Sequence, residues 1–320
     1  MEVPFLILCL PIISFAVTYA LTPQLSARLQ SAKIVGLDLH RKEIPKIPAM
    51  GGLAVFLSFA VAFTFSGFFD LNERYMFAMF LSASFGTTVG ALNDLLSFGK
   101  KETVMATLMI GAPIAMFRVG STIVYSTPLG PLDLGWVFWA LVPFGFSFLT
   151  NAVNIYAGFN GLEAGLGFMT SIFLGVSALL YGSTESALAL LILAGSLLAF
   201  LRWNFHPAKT FIGDCGTYLI GAVFASAVIV GAFKIAGAIA FIPYVINFLL
   251  RARGRFSWTV GTTDGHGKVV SNKIDALWAV FIHKHPLRES QLVVACICLQ
   301  TAFGIIAVLF SYFQVTSPLR

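Results

Sequence analysis

The sequence predicts an all-α polytopic integral membrane protein, with about ten transmembrane helices in one bundle and a single domain over residues 1–320. Hydrophobic residues make up 58% of the chain and charged residues only 11%, with 32 phenylalanines and a mean hydropathy of +0.88. A soluble protein is charged at about a quarter of its positions. The apolar runs are continuous rather than alternating, which favours membrane-spanning helices and excludes a transmembrane β-barrel.

Apolar windows of about 20 residues predict the individual spans. In chain order the predicted spans are residues 3–22, 51–69, 75–92, 103–118, 135–153, 164–181, 186–201, 215–233, 235–250 and 292–313. Some windows are shorter than a full bilayer crossing, which a helix packed inside a bundle tolerates. The connection Val119–Leu134 is rich in β-branched residues, proline and glycine, which predicts a small β-hairpin.

Basic residues are distributed unevenly among the loops. Ten spans put both termini on one side of the membrane, and the loops on the opposite side are then 23–50, 93–102, 154–163, 202–214 and 251–291. These loops hold all of the 20 Lys and Arg residues except Arg74, Arg118, Lys234 and Arg320. The positive-inside rule places such loops in the cytoplasm and both termini on the non-cytoplasmic side. The net charge of +6 comes mostly from the basic residues of these loops, so it does not indicate a nucleic-acid partner.

The stretch Asn151–Gly165, NAVNIYAGFNGLEAG, is the most polar segment between two long apolar runs. It carries three asparagines, one glutamate and three glycines. In hydrocarbon each unsatisfied polar group costs several kcal/mol, so these groups face water, a cavity or a polar ligand. The alternative is a capped helix end, because Asn and Gly favour turns and helix termini.

Two further polar motifs belong to the same predicted face. Asn93 and Asp94 close the third span, and the alternative to a site is a membrane-edge carboxylate in water. The segment RWNFHPAKTFIGDCG places Asp214 directly before a long apolar helix, where it could serve as an N-cap. A helix N-terminus also attracts anions, so the two interpretations are compatible. Phe211 could stack on a flat base or belong to an interfacial aromatic belt.

The last cytoplasmic loop adds cations to this face. Arg251, Arg253 and Arg255 follow the ninth span. Closely spaced arginines suit bidentate contacts with phosphate or diphosphate, and the alternative is an ordinary positive-inside run. Few carboxylates with many amides suit Mg²⁺ held partly by substrate phosphates. The residues alone therefore predict a cytoplasm-facing enzyme that handles a phosphorylated substrate, with a lipid co-substrate.

At these motifs the sequence resembles the polyprenyl-phosphate N-acetylhexosamine-1-phosphate transferase family. The motifs are NAVNIYAGFNGLEAG, WNFHPAKTFIGDCG and the Asn93-Asp94 pair, and the resemblance covers nearly the whole chain. Bacterial members usually carry DGLDGL or DGIDGL where Gly158–Glu163 reads GFNGLE. The likeness is therefore greatest to the eukaryotic and archaeal dolichyl-phosphate GlcNAc-1-phosphotransferase branch.

The resemblance implies a reaction and its participants. Such enzymes transfer GlcNAc-1-phosphate from UDP-GlcNAc to a dolichyl or other polyprenyl phosphate, releasing UMP, as the first step of lipid-linked glycan assembly for N-glycosylation. The implied cofactor is Mg²⁺, with Mn²⁺ as a substitute. The implied partners are the two substrates and membrane lipids, and whether the protein forms a homodimer is left open. The implied location is the cell membrane of an archaeon or the endoplasmic-reticulum membrane of a eukaryote, with the active site facing the cytoplasm.

The resemblance also implies roles for particular residues. The metal ligands would be Asn154 and Asp214, and the catalytic group would comprise Asn93, Asp94 and Lys101. The residues that bind UDP-GlcNAc would be Leu39, Gly158, Asn160, Glu163, Phe211, Arg253 and Arg255. Glu163 could instead cap the helix that follows it, and Asp94 could act as a base or organise the lipid phosphate.

Two departures from the family pattern affect the catalytic group. Asn93 replaces the first Asp of the family's Asp-Asp pair, which argues against a strict two-carboxylate mechanism. Thr103 stands where the family has a lysine, and Lys100 or Lys101 would have to replace it.

Two other functions remain open on the sequence. One is a bacterial-type transferase acting on undecaprenyl phosphate with UDP-GlcNAc or UDP-MurNAc-pentapeptide. The other, from a different class, is a nucleotide-sugar or anion transporter. A transporter would place its polar groups near mid-membrane on broken helices, whereas here they gather at one face.

Overall fold

The structure is a computed structural model that describes residues 2–41, 43–127, 130–256, 260–264 and 266–316. Helices dominate these residues. In chain order they are α1 (Glu2–Ser31), α2 (Gly52–Phe65), α3 (Glu73–Leu96), α4 (Lys100–Leu108), α5 (Ala112–Phe117), α6 (Gly135–Ile155), α7 (Leu162–Leu180), α8 (Thr184–Asn204), α9 (Gly213–Val230), α10 (Lys234–Arg253), α11 (Leu277–Ile282) and α12 (Glu289–Thr316).

The strands are short and belong to the connections between helices. They are β1 (Val35–Leu37), β2 (Lys46–Pro48), β3 (Ile123–Thr127), β4 (Gly130–Asp133), β5 (Thr262–Thr263), β6 (Lys268–Val270) and β7 (Leu287–Arg288). Antiparallel pairs join β1 to β2 and β3 to β4, and β5, β6 and β7 form a three-stranded antiparallel sheet. The β3–β4 pair confirms the predicted hairpin, although Pro128 and Leu129 lie outside the described residues.

Within the described ranges, eight helices are long and apolar enough to cross a membrane, namely α1, α3, α6 to α10 and α12. The chain is therefore a mostly helical integral membrane protein. Two of the ten predicted spans are shorter than expected. The span at 51–69 is α2 with a following 3₁₀ turn, and the span at 103–118 is divided into α4, a 3₁₀ turn and α5. Pro113 lies at the start of α5, and its lack of an N–H interrupts the helical hydrogen-bond ladder there.

Helix α9 lies at the centre of the bundle, and nearly all of its side chains are buried. It packs most extensively against α3, and also against α6 and α8. Small residues allow this close approach. In a membrane the hydrophobic effect does not drive helices together, so they associate through close packing of this kind. A Cβ added to Gly90 of α3 would lie 2.3 Å from the Asp214 carbonyl oxygen, and one added to Gly86 would lie 2.8 Å from the Tyr218 carbonyl oxygen.

Polar side chains inside the bundle form hydrogen bonds to neighbouring helices. The Ser14 hydroxyl donates to the Ile192 carbonyl at 2.8 Å, which joins α1 to α8. The Gln300 amide donates to the Ala240 carbonyl at 2.9 Å, which joins α12 to α10. Such bonds contribute about 0.6 to 2 kcal/mol each in membrane proteins. They fix helix positions around α9, whose N-terminus opens into a cavity at one end of the bundle.

Candidate active site

A cavity of about 490 Å³ lies at the end of the bundle where α6 ends and α7 and α9 begin. Its walls come from the segment between β1 and β2, the α6–α7 loop, the α8–α9 loop and the first turn of α9. Four of the five loops that the sequence predicts on one face thus meet here, with Val260 contributed by the last of them, whereas the loop 93–102 contributes no lining residue. The predicted site residues among its lining are Leu39, Asn154, Gly158, Asn160, Glu163, Phe211 and Asp214.

Asp214 is the carboxylate at the head of this cavity. It lies in the first turn of α9, whose N-cap is Ile212, so the interpretation of Asp214 as the N-cap is wrong. Its Oδ1 accepts a hydrogen bond from the Asn154 amide at 2.7 Å, and its Oδ2 accepts one from the Asn93 amide. The Asn154 amide also donates to the Thr217 hydroxyl at 2.9 Å. The structure therefore brings the two predicted metal ligands and Asn93 into direct contact.

The chemistry of these groups fits a hard divalent cation. Mg²⁺ takes oxygen ligands and is usually held by one or two carboxylates together with substrate phosphates. Asp214 provides a carboxylate at the cavity wall. The Asn154 NH₂ group donates to that carboxylate, so Asn154 would offer its amide oxygen only with a cation between the two side chains. The N-terminal end of the α9 helix dipole adds a positive partial charge at the same place.

Asp94 caps the N-terminus of α9 from the neighbouring helix α3. Its Oδ1 accepts the backbone N–H of Asp214 at 2.9 Å, and its Oδ2 accepts that of Cys215 at 3.0 Å. The contact requires Gly213, which has a φ of +71° and whose missing Cβ would lie 2.8 Å from the Asp94 carboxylate. Asp94 is not among the residues that line the cavity. In this geometry it holds the backbone of Asp214 rather than facing the cavity itself.

The α6–α7 loop folds back on itself at two glycines. Gly158 has a φ of +128° and Gly161 a φ of +85°, conformations that side chains other than Gly disfavour. The Glu163 carboxylate accepts the backbone N–H of Gly158 at 3.3 Å, within a loop that lines the cavity. Glu163 therefore closes this loop and contributes to the cavity wall, and its contact with UDP-GlcNAc stays a prediction.

Two hydrogen bonds hold the backbone of Phe211 in place. Its N–H donates to the Pro48 carbonyl at 2.8 Å, and its carbonyl accepts the Gly51 N–H at 2.8 Å. Gly36 of β1 packs against the ring, since a Cβ there would lie 3.1 Å from a ring carbon. The aromatic side chain predicted to stack on a base is thus held rigidly at the cavity wall beside Leu39, which is half exposed.

Asn160 is anchored by two carboxylates that the sequence analysis did not select. Its side-chain amide donates to Asp38 at 3.0 Å, and its backbone N–H donates to Glu289 at 2.7 Å. The other oxygen of Glu289 lies 2.8 Å from His206 Nδ1. Asp38, His40 and Glu289 are close enough to share a metal ion, and both carboxylates also accept hydrogen bonds from Asn160. Glu289 could have been noticed as a carboxylate at the start of an apolar helix, whereas nothing marked Asp38.

The predicted cations lie away from the cavity lining. Lys101, Arg253 and Arg255 are exposed, and none lines the cavity in the part of the chain that the structure describes. The Lys100 amine lies 3.5 Å from the Arg255 carbonyl, so the start of α4 and the end of α10 are neighbours. Arg251, in contrast, is buried and lies over the Trp278 ring at 5.7 Å.

Comparison with known proteins identifies the family. Residues 76–232 match the model of glycosyl transferase family 4. A Saccharolobus solfataricus protein with the provisional name UDP-N-acetylglucosamine–dolichyl-phosphate N-acetylglucosaminephosphotransferase is 32% identical, over 95% of this chain and 97% of its own length. A Sulfolobus acidocaldarius protein of the same provisional name is 29% identical over 95% of this chain and 96% of its own. A Bacillus subtilis protein provisionally named undecaprenyl-phosphate N-acetylglucosaminyl 1-phosphate transferase is 30% identical over 70% of this chain and 62% of its own. The resemblance found in the motifs is thereby confirmed, and the chain belongs to glycosyl transferase family 4.

Proposed function

We propose that this protein transfers GlcNAc-1-phosphate from UDP-GlcNAc to a dolichyl or related polyprenyl phosphate, yielding a GlcNAc-diphosphate lipid and UMP. This would be the first step of lipid-linked glycan assembly for N-glycosylation. The observation that carries the proposal is the cavity at the N-terminus of α9, which Asp214, Asn154 and Phe211 line together. The near full-length similarity to two archaeal proteins named for this reaction supports the same choice.

The proposed membrane arrangement follows from the loops that form the cavity. We place this end of the bundle in the cytoplasm, because its loops carry most of the basic residues. In this arrangement α2 and the segment from α4 to α5 also cross the membrane, which gives ten spans in a single domain over 1–320 and both termini on the non-cytoplasmic side. The membrane would be the cell membrane in an archaeon and that of the endoplasmic reticulum in a eukaryote.

The proposed donor complex uses the rigid wall of the cavity for the nucleoside. Phe211 stacks on the uracil ring, and Leu39, Gly158 and Asn160 surround it, with Glu163 keeping the Gly158 loop in place. Base stacking on an aromatic side chain contributes about 1 to 3 kcal/mol.

Arginines would contact the outer part of the donor. Arg253 and Arg255 lie beyond the cavity lining, and Val260 of the same loop lines the cavity and accepts a hydrogen bond from His40 at 2.8 Å. This proximity supports a role for the two arginines in holding the diphosphate and sugar where they extend out of the cavity. Lys101, with Lys100 as the alternative, would contribute charge from the start of α4.

Asp214 and Asn154 would hold the divalent cation, Mg²⁺ with Mn²⁺ as a substitute. When bound, the cation supplies charge neutralisation for the diphosphate. The protein's own contribution is to hold the donor in line with the acceptor phosphate and to exclude water. An oxygen of the lipid phosphate attacks the β-phosphorus, and UMP leaves.

The acceptor needs little activation by a general base. A phosphate monoester has a second pKa of about 6, so the lipid phosphate is largely ionised near neutral pH. Asp94 is engaged by two backbone N–H groups of α9. We therefore assign it a positioning role, and Asn93 a supporting one through its hydrogen bond to Asp214.

The test is UMP release by the purified protein given dolichyl phosphate, UDP-GlcNAc and Mg²⁺, with an EDTA control. Metal-dependent UMP release matched by formation of a GlcNAc-diphosphate lipid is the expected result. Preference for UDP-MurNAc-pentapeptide over UDP-GlcNAc would favour the bacterial-type reaction instead. Counterflow of UDP-GlcNAc in proteoliposomes without any UMP release would indicate a transporter and overturn the proposal.

A further inference from the structure

The amide of Asn160 is held in one orientation by a buried carboxylate. Asp38 and Asn160 are 3% and 4% exposed, and the Asn160 Nδ2 lies 3.0 Å from Asp38 Oδ2. An ionised carboxylate can only accept hydrogen bonds, so the NH₂ end of the amide must face Asp38. The opposite orientation would set two acceptor oxygens against each other in a buried place, which is costly. The orientation is therefore imposed by chemistry.

The backbone of Asn160 is fixed separately. Glu289, the first residue of α12 and itself 5% exposed, accepts the Asn160 N–H at 2.7 Å and lies 2.8 Å from the His206 ring nitrogen. The β1–β2 connection, through Asp38, and α12, through Glu289, thus hold a single asparagine in the cavity wall, and His206 of the α8–α9 loop contacts Glu289. A group held from two distant parts of the chain has little freedom to adapt to its ligand.

The orientation of an asparagine amide decides which pyrimidine it can pair with. Uracil offers an N3–H donor beside carbonyl acceptors, which matches an amide that presents Oδ1 to N3 and N–H to a carbonyl. Cytosine has an unprotonated N3 acceptor beside an amino donor, and it needs the amide turned over. An amide free to turn would accept either base, whereas a fixed one discriminates, because the wrong base leaves buried polar groups unpaired.

We infer that Asp38 is a positioning residue that fixes the Asn160 amide and thereby selects a uracil nucleotide over a cytosine nucleotide. Asp38 acts through Asn160, while Glu289 holds the loop in place whichever base is bound. The inference deepens the proposed function and rests on it, since it assumes that Asn160 faces the base of the donor.

The test compares kcat/KM for UDP-GlcNAc with kcat/KM for CDP-GlcNAc in the wild type and in Asp38→Asn. An asparagine at this position can donate or accept, so it no longer forces the Asn160 amide into one orientation. We expect the ratio of the two kcat/KM values to fall at least about tenfold, with part of the change arising from a gain with CDP-GlcNAc. A ratio equal to that of the wild type, at any level of residual activity, would overturn the inference.

Glu289→Gln is the matched control. Glutamine keeps an oxygen that can accept the Asn160 N–H, so this variant should lower kcat/KM for both donors together and leave their ratio unchanged. A fall in the ratio as large as that in Asp38→Asn would mean that any loosening of the loop relaxes base choice, and the specific role of Asp38 would be refuted.

Binding of the nucleotides alone keeps the test independent of catalysis. The affinities of the purified protein for UDP and CDP are measured by calorimetry. The preference for UDP over CDP should be smaller in Asp38→Asn than in the wild type, even if that variant transfers no sugar. If the wild type releases no UMP from any donor but still prefers UDP over CDP, the proposed reaction fails, and loss of that preference in Asp38→Asn would still support the inference about the base. Equal wild-type affinity for UDP and CDP would overturn the inference itself.

Discussion

Replacing Asp94 by asparagine should loosen the N-terminus of α9 and thereby displace Asp214. The wild-type carboxylate accepts two backbone N–H groups, at 2.9 and 3.0 Å. Hydrogen bonds to a charged partner contribute about 1.5 to 3 kcal/mol each. Asparagine can keep one of them through its Oδ1, but its NH₂ group then faces the second N–H. We expect the free energy of unfolding to fall by about 2 kcal/mol.

The effect on transfer should exceed the effect on stability. A misplacement of about 1 Å at a reacting group can cost about 10²-fold in rate, and Asp94 fixes the backbone of a proposed metal ligand. We expect kcat for UMP release to fall about 10²-fold, with the shape of the pH–rate profile unchanged. Thermal unfolding in detergent and initial rates from pH 6 to 9, measured on the same preparations, provide both quantities.

Asp133→Asn is the control for this prediction. Asp133 also accepts a backbone N–H, that of Gly135 at 2.9 Å, but it lies in the β4 connection away from the cavity. Its replacement should leave transfer unchanged. A stable Asp94→Asn protein that loses transfer together with one limb of the pH profile would refute the positioning role and identify Asp94 as a proton acceptor.

Three further predictions concern the cavity and the packing behind it. Asp214→Asn should lower Mg²⁺-dependent UMP release at least about 10²-fold, and near wild-type activity at ordinary Mg²⁺ concentrations would contradict the metal assignment. Gly90→Ala should lower the free energy of unfolding by about 1 to 3 kcal/mol, because its Cβ would meet the Asp214 carbonyl at 2.3 Å. Gly67→Ala, where the Cβ would meet nothing within 4 Å, should be neutral by the same thermal assay. Phe211→Leu should raise KM for UDP-GlcNAc about tenfold with little change in kcat, and an unchanged KM would exclude stacking on the base.

Hydropathy alone was sufficient for the class of fold and for most of the helices. Long apolar windows become long helices because no other structure satisfies the backbone within hydrocarbon. The sequence also predicted which polar residues meet, since Asn154, Asn160 and Asp214 all reach one cavity. Their polarity between apolar runs was the signal, because such residues need a shared polar environment.

The partners of those residues could not be predicted in the same way. Asp38 lies in an ordinary polar loop, and its contact with Asn160 spans 122 positions in sequence. The division of the span at 103–118 depends on Pro113 and on how closely Gly111 approaches α6, which hydropathy averages do not register. The exposure of Arg253 and Arg255 could not be predicted either, because a sequence shows that a side chain is charged but not whether it faces a cavity or the solvent.

The contact between Asp94 and α9 has a consequence for how the protein is made. Asp94 and Asp214 are separated by 120 residues, and a ribosome adds about 5 to 20 residues each second. About 6 to 24 s therefore pass between the synthesis of Asp94 in α3 and that of Asp214 in α9. During that interval the nascent chain holds Asn93 and Asp94 without their partner. They lie in the last turn of α3, before Ser97 turns the chain at a φ of +53°. In the proposed membrane arrangement this turn is at the membrane surface, where both side chains would stay hydrated. The polar centre would thus assemble only when α9 is inserted and its N-terminus reaches the Asp94 carboxylate.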